Sequence, residues 1–268
     1  MGDFDGDGVD DLAYRSLGER HEIVEYSGAD LHTGAPRAIW SVSNAEDLGL
    51  TPSEFFGRVL LAGDFDGDGI DDLAVADPSM QVDGVADAGA VLFYRGTEGL
   101  NRPKDYLDAS QFGIDPSKCL GFGADLGAGQ VSGGPATDLF VGAPGCASVA
   151  VAEDGLQPVA VVELEAPGYG TAIAVGDLDG DGLADLVAGG HDERIAIYLS
   201  EYSGFPLGAL SEWRDRFDGG TGVLYPRAIA DLDDDGAGDL LAYGATAFTT
   251  SQPAGEVYFY RGRLGAPP

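Results

Sequence analysis

Basic residues are scarce in this chain. Lysine and arginine number 14 against 46 aspartates and glutamates, a formal charge of −32 over 268 residues. A surface this acidic repels phosphate backbones and anionic headgroups, which argues against nucleic acid and against a lipid surface as partners. Long apolar runs are missing: none approaches the roughly 20 residues that cross a bilayer, so no membrane insertion is expected. Cysteine occurs twice, at Cys119 and Cys146, in neither a zinc nor a CxxC spacing. The three histidines, His21, His32 and His191, share no motif and read as structural or exposed. No GxSxG, HExxH or P-loop occurs. No apolar leader precedes the first acidic loop, which reads as a missing upstream region. Helical patterns are absent too, because 43 glycines and 14 prolines punctuate the segments.

What the chain has instead is aspartate in a fixed pattern. DFDGDGIDDL at 64–73 recurs as DFDGDGVDDL at 3–12, DLDGDGLADL at 177–186 and DLDDDGAGDL at 231–240. Each copy puts aspartate at positions one, three, five and nine. Hard oxygen ligands alternating with turn-forming glycines suit calcium, which takes six to eight oxygens. The expected carboxylate ligands are Asp3, Asp5, Asp7 and Asp11; Asp64, Asp66, Asp68 and Asp72; Asp177, Asp179, Asp181 and Asp185; and Asp231, Asp233, Asp235 and Asp239. Position seven adds a backbone carbonyl, from Val9, Ile70, Leu183 and Ala237. About four Ca2+ sites are expected; magnesium fits less well, since it retains waters. An EF-hand needs glutamate at position 12, where these copies have Tyr14, Val75, Ala188 and Ala242. Asp-Gly pairs also make plain hairpin turns. A turn needs one or two such residues, whereas four like charges in one loop repel each other without a cation.

The copies are spaced as structural repeats. With an eroded fifth copy placed at 125–139, the first aspartates are Asp3, Asp64, Asp125, Asp177 and Asp231, giving steps of 61, 61, 52 and 54 residues. Such a period holds four short strands, one propeller blade. In the second repeat, 58–63, 73–76, 89–95 and 104–109 read as its strands. The third supplies 139–143, 148–152 and 159–165; the fourth 172–176, 186–188, 195–199 and a segment near 210–217. The first keeps 12–15, 22–26 and 38–42, without its opening strand, and the fifth has 228–230, 240–243 and 256–261. The prediction is an all-β fold: a single β-propeller domain over 1–268, of four-stranded antiparallel blades at about 1–54, 55–120, 121–167, 168–221 and 222–268. Phe93, Tyr94, Tyr198, Tyr258, Phe259 and Tyr260 read as packing between blades rather than as a carbohydrate platform; Phe56 and Phe122 read as core. The metal loops join first to second strands. The loops at 44–55, 77–88, 110–120 and 246–255 then lie on the opposite face, and being long and polar they are the candidate recognition surface.

These motifs resemble the FG-GAP repeats of integrin alpha-chain propellers and their bacterial relatives. Phe56-Gly57 and Phe122-Gly123 match the FG element, Gly142-Ala143-Pro144 matches GAP, and Ala76-Asp77-Pro78 is a near form. DxDxDGxxD is that family's calcium loop, matched by four copies; the third repeat lacks it, and no metal carries over there. Family propellers have seven blades, so about four and a half blades imply a portion or a shortened variant, open to pairing with a missing propeller portion. The resemblance implies a calcium-binding, non-catalytic module binding protein or carbohydrate, located extracellularly, in a periplasm or on a cell surface. A propeller-type enzyme or an accessory module of one, such as a polysaccharide lyase, is the alternative, and a structural scaffold is a third. Cys119 and Cys146 read either as a disulfide replacing the missing ion or as two separate thiols; the family context favours the disulfide.

Overall fold

The computed structural model describes residues 1–16, 22–31, 38–40, 48–100, 102–154, 156–164, 167–190, 195–200, 222–246 and 255–262. Among these, helical structure is limited to short 3-10 turns such as Ala109–Phe112, and no helix is long and apolar enough to cross a membrane.

The strands form five antiparallel meanders. The first is β1 (Leu12–Ser16), β2 (Glu22–Tyr26) and β3 (Ala38–Trp40). The second is β4 (Val59–Gly63), β5 (Asp72–Asp77), β6 (Ala90–Tyr94) and β7 (Pro103–Leu107). The third is β8 (Leu126–Gly129), β9 (Asp138–Ala143), β10 (Ser148–Glu153) and β11 (Gln157–Glu163), with β12 (Pro167–Gly170) in the connection that follows. The fourth is β13 (Ala172–Gly176), β14 (Asp185–Gly189) and β15 (Ala196–Tyr198). The fifth is β16 (Gly222–Ala230), β17 (Asp239–Thr246) and β18 (Gly255–Tyr260). The sheets are thus propeller blades taken in chain order. The expected strand near 210–217 lies outside the described residues, and so do the histidines.

Each inner blade is buried on both faces, which is why its central strands read as unbroken apolar runs. On one face of the second blade, Leu73, Val75, Leu92 and Tyr94 pack with Phe4 and Ile23 of the first. On its other face, Ala74, Ala76, Val91 and Phe93 pack with Leu126, Leu139 and Val141 of the third. The third continues through Phe140, Val149 and Val151 onto Ile173, Leu186 and Tyr198. The fourth continues through Ala174, Val187 and Ile197 onto Leu224, Leu240 and Ala242. Phe56 and Phe122 are buried as expected. Phe259 departs from its expected packing role: with Val257 and Tyr243 it is exposed, because the side chains of the fifth blade that meet the fourth, such as Tyr258 and Tyr260, sit at alternate positions.

At the end opposite the aspartate loops, long connections interlock. Gly121 N–H donates to the Asp87 carbonyl (2.9 Å), and Phe122 N–H to the Ala88 carbonyl (3.1 Å). Gly89 is required here, with φ +83° and a hypothetical Cβ 2.2 Å from the Phe122 carbonyl oxygen. Buried Asp77 accepts from Ser53 N–H (2.6 Å), Ser53 hydroxyl (2.6 Å) and Ser79 N–H (3.1 Å), fixing where these loops leave β5.

Cys119 and Cys146 form a disulfide with Cα atoms 4.5 Å apart. It ties the connection between the second and third blades to the β9–β10 turn, across 27 residues. Closing a loop of that length restricts the unfolded chain, so reduction is expected to lower unfolding free energy by about 3 kcal/mol. Urea denaturation under oxidising and reducing conditions measures this; superimposable curves would contradict it.

Candidate metal centres

Each aspartate loop is wound by its first carboxylate. Asp64 Oδ1 accepts from Gly67 N–H (2.7 Å) and Asp68 N–H (3.1 Å), and Oδ2 accepts from Gly69 N–H (2.9 Å). Asp177 repeats this with Gly180 (2.7 Å), Asp181 (3.1 Å) and Gly182 (2.9 Å). Asp3 takes Asp7 and Gly8, and Asp231 takes Asp235 and Gly236. Position four needs the left-handed region, met by Gly6, Gly67 and Gly180 and, in the last loop, by Asp234 at φ 58°.

The winding converges three carboxylates per loop, with one oxygen of each within 4.8 Å of the others. The groups are Asp3, Asp5 and Asp7; Asp64, Asp66 and Asp72; Asp177, Asp179 and Asp185; and Asp231, Asp233 and Asp239. Positions one and three therefore gather in all four loops. Position five does so only at Asp7. Asp68, Asp181 and Asp235 stand outside the groups, each accepting from the position-seven N–H of Ile70, Leu183 or Ala237. In the second loop, Asp66 Oδ1 is buried with no hydrogen-bond partner. An orphaned carboxylate oxygen beside two converging carboxylates has the donor chemistry of a hard divalent cation site.

Position nine does more than the sequence indicated. Asp72 Oδ2 accepts from Phe65 N–H (3.2 Å) and Oδ1 from Gly96 N–H (3.0 Å), joining the loop start to the end of the third strand. Asp11 holds Phe4 and Gly28, Asp185 holds Leu178 and Ser200, and Asp239 holds Leu232 and Gly262 in the same way. In the third blade Asp138 takes Val131, Ser132 and Asp154. All five are buried.

Asp138 at position nine corrects the register of the third repeat. Its loop runs 130–138, with Gln130 at position one, not from Asp125. Asp125 precedes β8 and accepts from Leu126 and Ile173 N–H. Spacing chose Asp125 because it is a carboxylate at the expected interval; the position actually carries an amide. Gln130 Nε2 donates to the carbonyls of Gly134 (2.7 Å) and Ala136 (3.2 Å), positions five and seven. Its Oε1 accepts from Gly133 N–H (3.2 Å). One side-chain amide thus bonds the inside of a loop that has no aspartates at positions one, three and five.

The loops also join the blades. The position-eight N–H of each blade donates to the position-one carbonyl of the preceding one: Asp71 to Asp3 (3.0 Å), Thr137 to Asp64 (2.7 Å), Ala184 to Gln130 (2.8 Å) and Gly238 to Asp177 (2.7 Å). Two arginines unmarked in the sequence complete the picture. Arg95 pairs with Asp66 and Asp105, and Arg261 with Asp233 and Asp235.

Burial pushes the Asp185 carboxyl up to about 7 and Asp72 up to about 6. Backbone donors oppose this, and neighbouring aspartates add to it. A carboxyl raised in the folded state favours folding while it holds its proton. Between roughly pH 4, where the unfolded carboxyl ionises, and pH 7, the folded chain gives up protons the unfolded chain has already lost. In chelator, the melting temperature is therefore expected to fall as pH rises from 5 to 8; a rise measured by calorimetry over that range would contradict this.

Comparison with known proteins agrees with the blade architecture. FG-GAP repeats are matched at residues 56–94 and 169–198. The chain is similar to integrin alpha-PS5 of Drosophila melanogaster, 28% identical over 183 residues, covering 62% of this chain and 17% of that protein. The matched portion is thus well under two thirds of that relative's length. With meandering antiparallel sheets stacked face to face and FG-GAP repeats at 56–94 and 169–198, the chain carries FG-GAP repeats folded as β-propeller blades and is similar in sequence to an integrin alpha chain.

Proposed function

We propose that this chain is a calcium-binding, non-catalytic recognition module of the adhesion type, working outside the cell or at its surface. Calcium sits in the loops at 3–11, 64–72, 177–185 and 231–239. Positions one, three, five and nine and the carbonyls of Val9, Ile70, Leu183 and Ala237 are the ligands. The observation that carries this reading is the third blade, where the Gln130 amide donates to the position-five and position-seven carbonyls. A loop whose carbonyls take a donor at its centre in the one aspartate-poor copy is built to hold a positive centre in the others. The convergent carboxylates and the orphaned Asp66 Oδ1 agree. The ion's role is structural. It neutralises loops whose backbone also bridges neighbouring blades, leaving the opposite end free for a protein or carbohydrate ligand. The likeness to an integrin alpha chain supports binding rather than catalysis, and the disulfide suits an oxidising compartment.

Calorimetric unfolding tests the metal. Calcium should raise the melting temperature above that in chelator, each site adding about 2.7 kcal/mol when calcium is at 100 times its dissociation constant. Magnesium should do less. An unchanged transition temperature would remove the calcium assignment.

A further inference from the structure

The four loops differ in what stands beside them. The residue whose N–H reaches the position-nine Oδ1 is Gly28 after β2, Gly96 after β6, Ser200 after β15 or Gly262 after β18. The residue just before it is therefore held at a fixed place next to the loop. That residue is Ser27 in the first blade, Arg95 in the second, Leu199 in the fourth and Arg261 in the fifth. Both arginines reach the same target. Arg95 Nη1 lies 2.5 Å from Asp66 Oδ2, and Arg261 Nε lies 2.5 Å from Asp233 Oδ2. Asp66 and Asp233 are both position three, a member of the convergent group in each loop. A second nitrogen of each arginine meets a further aspartate, Asp105 at 3.3 Å and Asp235 at 3.2 Å. An isolated exposed ion pair means little. Here the same register position meets the same loop position in two blades, set there by the same backbone bond. In the fourth loop, the apolar Leu199 occupies that place.

We infer that Arg95 and Arg261 are built-in counter-cations that divide the metal loops into two affinity classes. This rests on the calcium reading above. Calcium entering the second or fifth loop meets a carboxylate already engaged by guanidinium and a site one positive charge richer; in the fourth loop it meets neither. The fourth loop fills first, as a constitutive strut. The second and fifth fill at higher calcium, and their arginines limit carboxylate repulsion when the ion leaves. The partner end would then experience a frame that stiffens in steps as calcium rises.

The amides of Gly69, Gly182 and Gly236, each donating to the first aspartate of its loop, report the second, fourth and fifth sites separately. Calcium chloride is titrated into the chelator-stripped full chain, and these amides are followed by NMR. In the natural chain Gly182 should saturate before Gly69 and Gly236. In Arg95→Gln, Gly69 alone should shift to about tenfold lower calcium, and in Arg261→Gln, Gly236 alone, as expected for removing one nearby charge at a partly exposed site. If Arg95→Gln does not fold, Arg261→Gln carries the same test, and Arg95→Lys should leave the order of filling intact. Melting in chelator should drop for the double variant, while melting in saturating calcium should match the natural chain. Unchanged midpoints for Gly69 and Gly236, with calcium still binding, overturn the arginine inference and leave the calcium reading standing. If none of the three amides responds, the calcium reading fails and this inference fails with it.

Discussion

A buried carboxylate with both oxygens committed to backbone amides is the interaction on which each blade depends. Asp11, Asp72, Asp138, Asp185 and Asp239 join the start of each loop to the residues that follow β2, β6, β10, β15 and β18. Burying a charge is costly unless hydrogen bonds replace its water. Two or more N–H donors per aspartate offset part of that cost, and the local geometry follows. The third-strand end is drawn beside the loop, so whichever residue precedes it becomes the loop's neighbour. Gly96 is needed there because a Cβ would come within 2.3 Å of the Asp71 carbonyl oxygen. Ser200, at the same place in the fourth blade, instead directs its hydroxyl to the Ala184 carbonyl.

This frame does not depend on what fills the loop, which explains how one architecture carries different loop chemistry. The third blade keeps the position-nine staple and the rungs to both neighbours while replacing carboxylates with Gln130. The other loops keep the staple and gather negative charge at positions one and three. On the calcium reading proposed above, metal binding would be an addition to a turn that backbone hydrogen bonds already define. Because position one offers its carboxylate inward and its carbonyl to the next blade, an ion bound in the loop would also brace the seam between blades.

The opposite end is organised by other means. Asp77, the Asp108 cap on Ala109–Phe112 and the Cys119–Cys146 disulfide hold long connections in place without convergent acidic groups among the described residues. The two ends are therefore held by different interactions: one by winding and blade-to-blade bonding, the other by local caps and the disulfide.

Much of this could be read along the chain. Period-two apolar strands, glycines between alternating aspartates, and the recurrence of the block were enough for antiparallel blades and for the convergence of positions one and three, since those features are local in sequence. The expected strands among the described residues stand at their places with ends moved by up to three residues, save β16, which starts six residues early; β8 and β12 were not expected, and the start of the third loop is displaced. There the missing carboxylates left only spacing to reason from, and Gln130 has no signature until its carbonyl partners are seen. Arg95 lies 29 residues from Asp66, and Gly96 lies 24 from Asp72. Such pairings are created by the meander folding back on itself. What the amino-acid order determined alone was the repeat, the turn and the acidic side chains that the turn carries. Which carboxylates serve the fold, which converge, and which meet an arginine was decided by tertiary structure, because only the hydrogen-bonded return of the third strand brings those partners within reach.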